Sequence, residues 1–362
     1  MATAAKPSPT SKSASAAAKP RSTAAKPRTA AAKPRTAAKP RTRKPARPAI
    51  QRIVPCLWSN GAAEETAAFY AAALPDTSFE VMSRYPETGL LDFQQPLAGK
   101  PLTVDVLIGG YRVTLVNAGP EFRPNPSISL TLHFDPRNFD GSMLRARAQL
   151  DATWGALGFG GRVLMELGEY PFSGRYGWVE DRYGVSWQLM LVDPEAPGGD
   201  PSGAAAPFVM PCLMFGAAAQ NRASEAIDRY VAVLGATQSL GGSDRGFTAP
   251  YPVQTGPAPA GAVMYGEFGV GPQRFSAMDS GVEQPESFTN GVSLIVNAHG
   301  QDEIDLLWDA LSAVPEAEQC GWLVDAFGVS WQIVPDNMDE LMQRPDAFPH
   351  MLQMKKIVIA DL

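Results

Sequence analysis

GWVEDRYGVSWQL at residues 177–189 returns as GWLVDAFGVSWQI at 321–333, displaced by 144 residues. A second pair of phrases lies at the other end of the same length of chain, where VPCLW at 54–58 reappears as MPCLM at 210–214, displaced by 156. Similar displacements at the opening and the close of a stretch mean a duplicated body, 50–192 followed by 208–362. Between the copies runs DPEAPGGDPSGAAAP, 193–207, whose turn-forming residues give it the composition of a linker. The full chain of 362 residues has room for two domains of ordinary size.

Periodicity fills in each copy. Residues 52–58 read as a strand and 62–74 as an alanine-rich helix with Ala63, Thr66, Tyr70 and Ala73 on one face. Strands follow at 78–84, 102–108 and 111–117, and Gly109-Gly110 suits the tight type I′ turn that needs positive φ twice. The theme restarts with a strand at 127–134, a helix at 142–157, and strands at 162–167, 177–180 and 185–191. The second copy predicts strands at 208–215, 264–270, 274–278 and 292–297 and helices at 223–234 and 301–311. Asn337 followed by Glu340 suggests a capping box for a last helix. Each copy thus holds two βαβββ modules, and the fold class is α+β.

Charge divides the chain sharply. Residues 1–50 carry thirteen Lys or Arg and no acid, which leaves 18 basic against 37 acidic residues in 51–362, a net charge of −19. The segment 1–49, built from repeats of AAKPRT, is expected to be disordered, since regular prolines and unopposed charge prevent a core. Lys26, Arg28, Lys33, Arg35, Lys39, Arg41, Arg43 and Lys44 are its candidates for non-specific contact with DNA or RNA phosphates, against the plain alternative of a solubilising extension. Without interleaved aromatics it has no means of reading bases. No apolar run reaches the roughly 18 residues of a membrane span, and no secretory h-region follows the amino terminus, so a cytoplasmic protein is expected. Three cysteines without CxxC spacing fit a reducing compartment rather than a disulfide scaffold.

The phrases PCLWSNGAAEETAAFYAAALPD (55–76), LVNAGPEF (115–122), NAHGQDEIDLLWDALSA (297–313), EQCGWLVDAFGVSWQIVP (318–335) and MLQMKKIVIADL (351–362) resemble the PhnB-like proteins. These are also called the 3-demethylubiquinone-9 3-methyltransferase-like family, a branch of the vicinal oxygen chelate superfamily that includes glyoxalase I and bleomycin resistance proteins. The resemblance spans nearly all of 50–362 and implies tandem glyoxalase-like domains, with paired modules forming cupped mixed sheets. It implies no single reaction, because the superfamily ranges from isomerases to drug-sequestering proteins. Its metalloenzymes carry His, Gln or Glu on the first and last strands of their modules. The matching positions here offer Cys56 and Trp58, Cys212, and the amides Gln188 and Gln332. A neutral amide holds a hard divalent ion far less well than a carboxylate, so no cofactor is expected, and a divalent metal is the lesser expectation.

Gln188 and Gln332, able both to donate and to accept, are the leading candidates for contact with a small organic ligand. Trp58, Cys56, Cys212, Trp178, Trp322, Asn117 and Asp279 form a second rank. Trp187 and Trp331, on the opposite face from the glutamines, are read as core. His133, Glu166 and Glu267 are the residues to which a metal would fall if one were bound. No adenosylmethionine-type GxG and no Ser-His-Asp order is present, which disfavours a methyltransferase in spite of the family label. The first expectation is a small-molecule-binding protein, either a monomer whose second copy imitates a dimer partner or a homodimer. Its rivals are a metal-dependent lyase, isomerase or dioxygenase acting on an oxygenated substrate, and a nucleic-acid-associated protein anchored by its tail.

Overall fold

Alternation within single strands sets which way each module faces. The computed structural model describes residues 51–90, 92–195 and 204–362. The basic residues proposed for polyanion contact, Lys26 to Lys44, therefore lie outside the described residues, as does most of the linker. In β1 (Ile53–Ser59), Ile53 and Leu57 enter the apolar core, which leaves Cys56 and Trp58 on the other face. The chain continues through α1 (Ala63–Ala73), β2 (Thr77–Arg84), β3 (Pro101–Ile108) and β4 (Tyr111–Asn117). Gly109 and Gly110 take φ of 56° and 82°, the conformation the hairpin turn requires. The α1 crossover lays β4 parallel beside β1, and β2, β3 and β4 form an antiparallel meander.

That module recurs three times. The second comprises β5 (Ile128–Phe134), α2 (Met143–Gly158), β6 (Arg162–Tyr170), β7 (Ser173–Glu180) and β8 (Ser186–Leu191). The third comprises β9 (Val209–Phe215), α3 (Ala223–Gly235), β10 (Ser243–Pro250), β11 (Val263–Val270) and β12 (Gln273–Asp279). The fourth has β13 (Val292–Ala298), α4 (Gly300–Leu311), β14 (Trp322–Val324) and β15 (Ser330–Pro335), with a 3-10 turn at Pro315–Ala317 where the second module has β6. Strand β10, rich in Gly, Ser and charge, is one that hydrophobic alternation does not reveal.

The fold is mixed α+β with two mixed sheets, and the modules exchange partners between the two copies. One sheet runs β14-β15-β13-β1-β4-β3-β2 and the other β10-β11-β12-β9-β5-β8-β7-β6. The first and fourth modules thus share a sheet, joined by antiparallel pairing of β1 with β13, and the second and third share the other through β5 and β9. The copies are units of sequence rather than of packing, and the body is one compact unit. What stays within a copy is the helix-side contact. Tyr70 of α1 donates its hydroxyl to buried Asp181 Oδ2 at 2.8 Å, and Tyr230 of α3 does the same to Asp325 at 2.7 Å. Trp187 and Trp331, fully buried, donate to the same two carboxylates. They are core residues, as alternation implies.

The last segment departs from expectation. Asn337 precedes α5 (Met338–Leu341), a single turn, and its side chain makes no capping bond. A further helix, α6 (Ala347–Gln353), leads to a strap whose Met354 and Lys355 carbonyls accept from Cys320 and Gly321 beside β14. Leu341, Ile357 and Leu362 form a small apolar cluster of their own. No helix among the described residues is long and apolar enough to cross a membrane.

Candidate functional site

Each sheet carries the same row of side chains across its helix-free face. In the first sheet, β1 places Cys56 opposite Ser293 of β13 on one side and Thr114 of β4 on the other. Gln332 of β15 donates through Nε2 to Ser293 Oγ at 2.9 Å, and Thr114 donates to Asp105 Oδ1 of β3 at 2.6 Å. In the second sheet, Cys212 lies opposite Ser129 and Ser276, Gln188 donates to Ser129 Oγ at 2.7 Å, and Glu267 lies opposite Ser276. A Gln-Ser-Cys-Thr/Ser-acid row is therefore built twice. The glutamines and cysteines were legible in the sequence, and the serines and Thr114 were not. A shared Ser-Leu at the start of SLTLH (129–133) and SLIVN (293–297) is the signal that finds Ser129 and Ser293, and Thr114 and Ser276 carry no such signal.

Burial makes the row electrostatically quiet. It pushes the Cys56 thiol up to about 12, against the opposing pull of hydrogen bonds from Gln332 and Ser293, and it raises Cys212 as well. Neither sulfur is a thiolate at neutral pH, so neither is an activated nucleophile. The donors along the row are an amide, hydroxyls and a thiol. The acids at its ends are engaged, Asp105 by Thr114 and by Arg112 at 3.5 Å, Glu267 by Tyr265 at 2.7 Å and by Arg274 at 3.6 Å. These residues do not fit a hard divalent ion, which favours several charged oxygens. The sequence-derived metal candidates do not meet either. His133 is buried, with Nδ1 3.0 Å from the Pro207 carbonyl, Glu166 is exposed on β6, and no metal-holding group of three or more His, Cys, Asp or Glu forms among the described residues.

The two rows differ in what stands above them. Over Gln188 the hydroxyl of Tyr176 donates to Oε1 at 2.8 Å, and Tyr176, Trp178 and Met214 form a buried apolar cluster backed by Met165, Met190 and Met278. Trp178 donates Nε1 to Ser186 at 2.6 Å. This glutamine is 4 % exposed and its amide is committed on both ends. Displaced by 144 residues, the counterpart of Tyr176 is Cys320, so Gln332 has no such roof and stays half-buried. Beside it Trp58 and Trp322 meet edge to face, 5.9 Å between ring centroids, and Trp58 Nε1 donates to the Gly119 carbonyl at 2.8 Å.

Asn117 and Asp279, second-rank candidates for ligand contact in the sequence, are taken up by helix starts instead. Asn117 Oδ1 accepts the Ala63 N–H at 3.0 Å while its Nδ2 donates to the Pro101 carbonyl. Asp279 accepts from Ala223 at 3.0 Å and from Val263 at 2.9 Å. Helices α1 and α3 begin after Ala62 and Arg222, neither of which supplies a side-chain cap, so each borrows one from the last residue of the parallel strand.

A family model described as 3-demethylubiquinone-9 3-methyltransferase matches residues 51–190 and again 207–334, both copies over most of their length. The chain belongs to this family. It is a tandem PhnB-like member of that family, as its motifs imply. Among solved structures, one copy of this PhnB-like chain is similar to a putative 3-demethylubiquinone-9 3-methyltransferase, PhnB protein, from Bacillus cereus, at 29 % identity over 39 % of this chain and 100 % of that one, TM-score 0.32. A protein from Pseudomonas aeruginosa is similar at 24 % identity over 39 % of this chain and 97 % of its own, TM-score 0.32. Glyoxalase I from Zea mays aligns at 13 % identity over 80 % of this chain and 93 % of its own, TM-score 0.42. No curated protein matches the chain.

Proposed function

We propose that this PhnB-like protein binds a small organic ligand at the Gln332 row of the first sheet, without a metal. One observation carries the reading: of two equivalent rows, that at Gln188 is roofed by Tyr176 and its apolar neighbours, while that at Gln332 is half-buried with Trp58 and Trp322 beside it. The amide there has Oε1 to accept with and aromatic edges against which an apolar body packs, the usual make-up of a small-molecule site. A hydroxylated or amide-bearing ligand with a flat apolar part suits that pairing. The second copy stands where a dimer partner would, so we take the protein to be a monomer.

The test is a screen of hydroxylated aromatic compounds against the full chain by ligand-observed nuclear magnetic resonance. Gln332→Leu is expected to weaken a hit by about tenfold, the usual loss for a buried ligand hydrogen bond, while Gln188→Leu leaves it unchanged. Equal loss in both variants, or in neither, would remove the Gln332 row as the site.

A further inference from the structure

A cavity of about 320 Å³ lies where the loop after β4 and the turn between β7 and β8 meet the first turn of α1; it shares Trp58 with the surroundings of Gln332, but none of the row's own residues lines it. Trp58, Phe122 and Tyr183 give it aromatic walls, and Arg123 and Arg182 line it as well. Neither arginine has an ion pair among the described residues. The Arg182 guanidinium is held in place by stacking, its carbon 4.3 Å from the Phe69 ring centroid and 5.3 Å from that of Tyr183. Arg123 reaches the same turn, with Nη2 3.4 Å from where a side chain on Gly184 would begin. Glu65, also beside this stack, is engaged by the Tyr183 hydroxyl at 2.8 Å.

The duplication supplies a control within the molecule. The third and fourth modules make an equivalent cavity of about 430 Å³, lined by Phe288, Phe327, Ser287 and Ala326 among others. Ser287 follows Arg123 by 164 residues, the spacing of Ser293 from Ser129, and Ala326 follows Arg182 by the 144 of the GVSWQ repeat. The scaffold therefore builds this loop and turn with Ser and Ala, so folding does not require the two arginines. The arginine that the second cavity does contain, Arg222, is neutralised by Glu225 through bonds of 3.0 and 3.1 Å. Only the first cavity gathers two guanidinium groups without an acid among its lining residues.

We propose that this cavity is a separate binding site for a small flat molecule carrying an oxyanion, carboxylate or phosphate. The planar forks of Arg123 and Arg182 match the oxygens of such a group, and the rings of Trp58 and Phe122, 5.0 Å apart, face an aromatic body. The size is at the lower end for ligand pockets, which favours a single-ring compound.

Isothermal titration of the full chain with benzoate, phenyl phosphate and uncharged benzyl alcohol tests this, at low and at physiological salt. One or both anions bind in a way that the Arg123→Gln/Arg182→Gln double variant abolishes, whereas any binding of benzyl alcohol, a hydroxylated aromatic suited to the Gln332 row, is untouched by that variant; the stronger anion tells which oxyanion the site prefers. Arg123→Gln and Arg182→Gln each weaken that anion binding by about tenfold or more, whereas Arg222→Gln leaves it unchanged. Because the basic amino-terminal segment attracts anions by itself, binding that persists undiminished in the Arg123→Gln/Arg182→Gln double variant would overturn the site. So would binding of benzyl alcohol that the double variant weakens as much as it weakens that of the anions. Should Arg182→Gln lower the melting temperature, Arg182→Lys keeps the charge without the fork and is expected to lose most of the affinity while melting normally.

Discussion

Asp181 shows how a single residue ties the modules of one copy together. Its Oδ1 accepts from the backbones of Tyr183 and Val185, and its Oδ2 from Tyr70 and Trp187, all at 2.8 to 3.1 Å. Every neighbour is a donor, so Asp181→Asn would turn an amide N–H toward one of them, and a loss of about 1 to 3 kcal/mol is expected in urea unfolding. Burial raises its pKa, against the opposing pull of those four bonds. A carboxyl raised in the folded state adds stability below its unfolded value of about 3.9, and that share fades as pH climbs through the folded value. The stability gap between wild type and Asp181→Asn should therefore be widest in acid and narrow toward neutrality. A gap that widens with rising pH would show instead that the ionised form is the one the fold prefers. At this scale the sequence was a partial guide. Repetition exposed Gln188, Gln332, Asp181 and Asp325, because large or charged residues stand out when copied, but Thr114 and Ser276 are ordinary strand residues until the register sets each beside its cysteine, Thr114 with Ser293 in the first sheet and Ser276 with Ser129 in the second.

Helix starts illustrate what happens when local signals and tertiary ones compete. Ser142 caps α2 locally, its Oγ accepting from Arg145 at 3.3 Å, and that boundary is readable from the sequence. Helices α1 and α3 lack such a residue and take Asn117 and Asp279 from strands more than fifty positions away, a relation no window along the chain contains. Asn337, which has the right type and spacing, caps nothing, because the chain turns away after one turn of α5. Asn117→Ala should cost about 1 kcal/mol, the common value for a lost cap, and speed amide exchange at Ala63 in particular. Exchange that rises evenly over the whole first sheet would point to Asn117 as a strand residue first and a cap second. Most strands were legible from their apolar runs; the exceptions were β10, whose composition is that of a solvated edge, and the short β14 with β15 of the last module, which only the GVSWQ repeat points to.

For the whole molecule, the duplicated copies and α+β class were plain in the sequence, while the exchange of modules between sheets was not, because every module presents the same strand pattern to any partner. The glutamine Gln273 shows how closely the sheets are joined. From the second sheet it accepts from the backbones of Arg52 and Ile53 in the first at 3.0 and 2.8 Å and donates back to the Ile53 carbonyl at 2.6 Å. A protein of residues 51–192 alone would leave β1 and β5 each without its antiparallel neighbour. Two such copies can satisfy each other, so light scattering should find a dimer at micromolar concentration, with a compact monomer the contrary result.

The order in which the sheets are visited also has a consequence in time. On a ribosome the β5 edge of the second sheet is covered once β9 has emerged, soon after β5 to β8, but the β1 edge of the first waits for β13, whose Ser293 is the partner of Cys56. Through that interval the earliest strand to be made carries a bare edge of Val54, Cys56 and Leu57, the kind of apolar edge on which neighbouring nascent chains pair wrongly. Strand β13, the opening strand of the last module, is thus the one that covers β1, and a longer wait of Ile53–Ser59 for it is expected to lower the yield of folded protein.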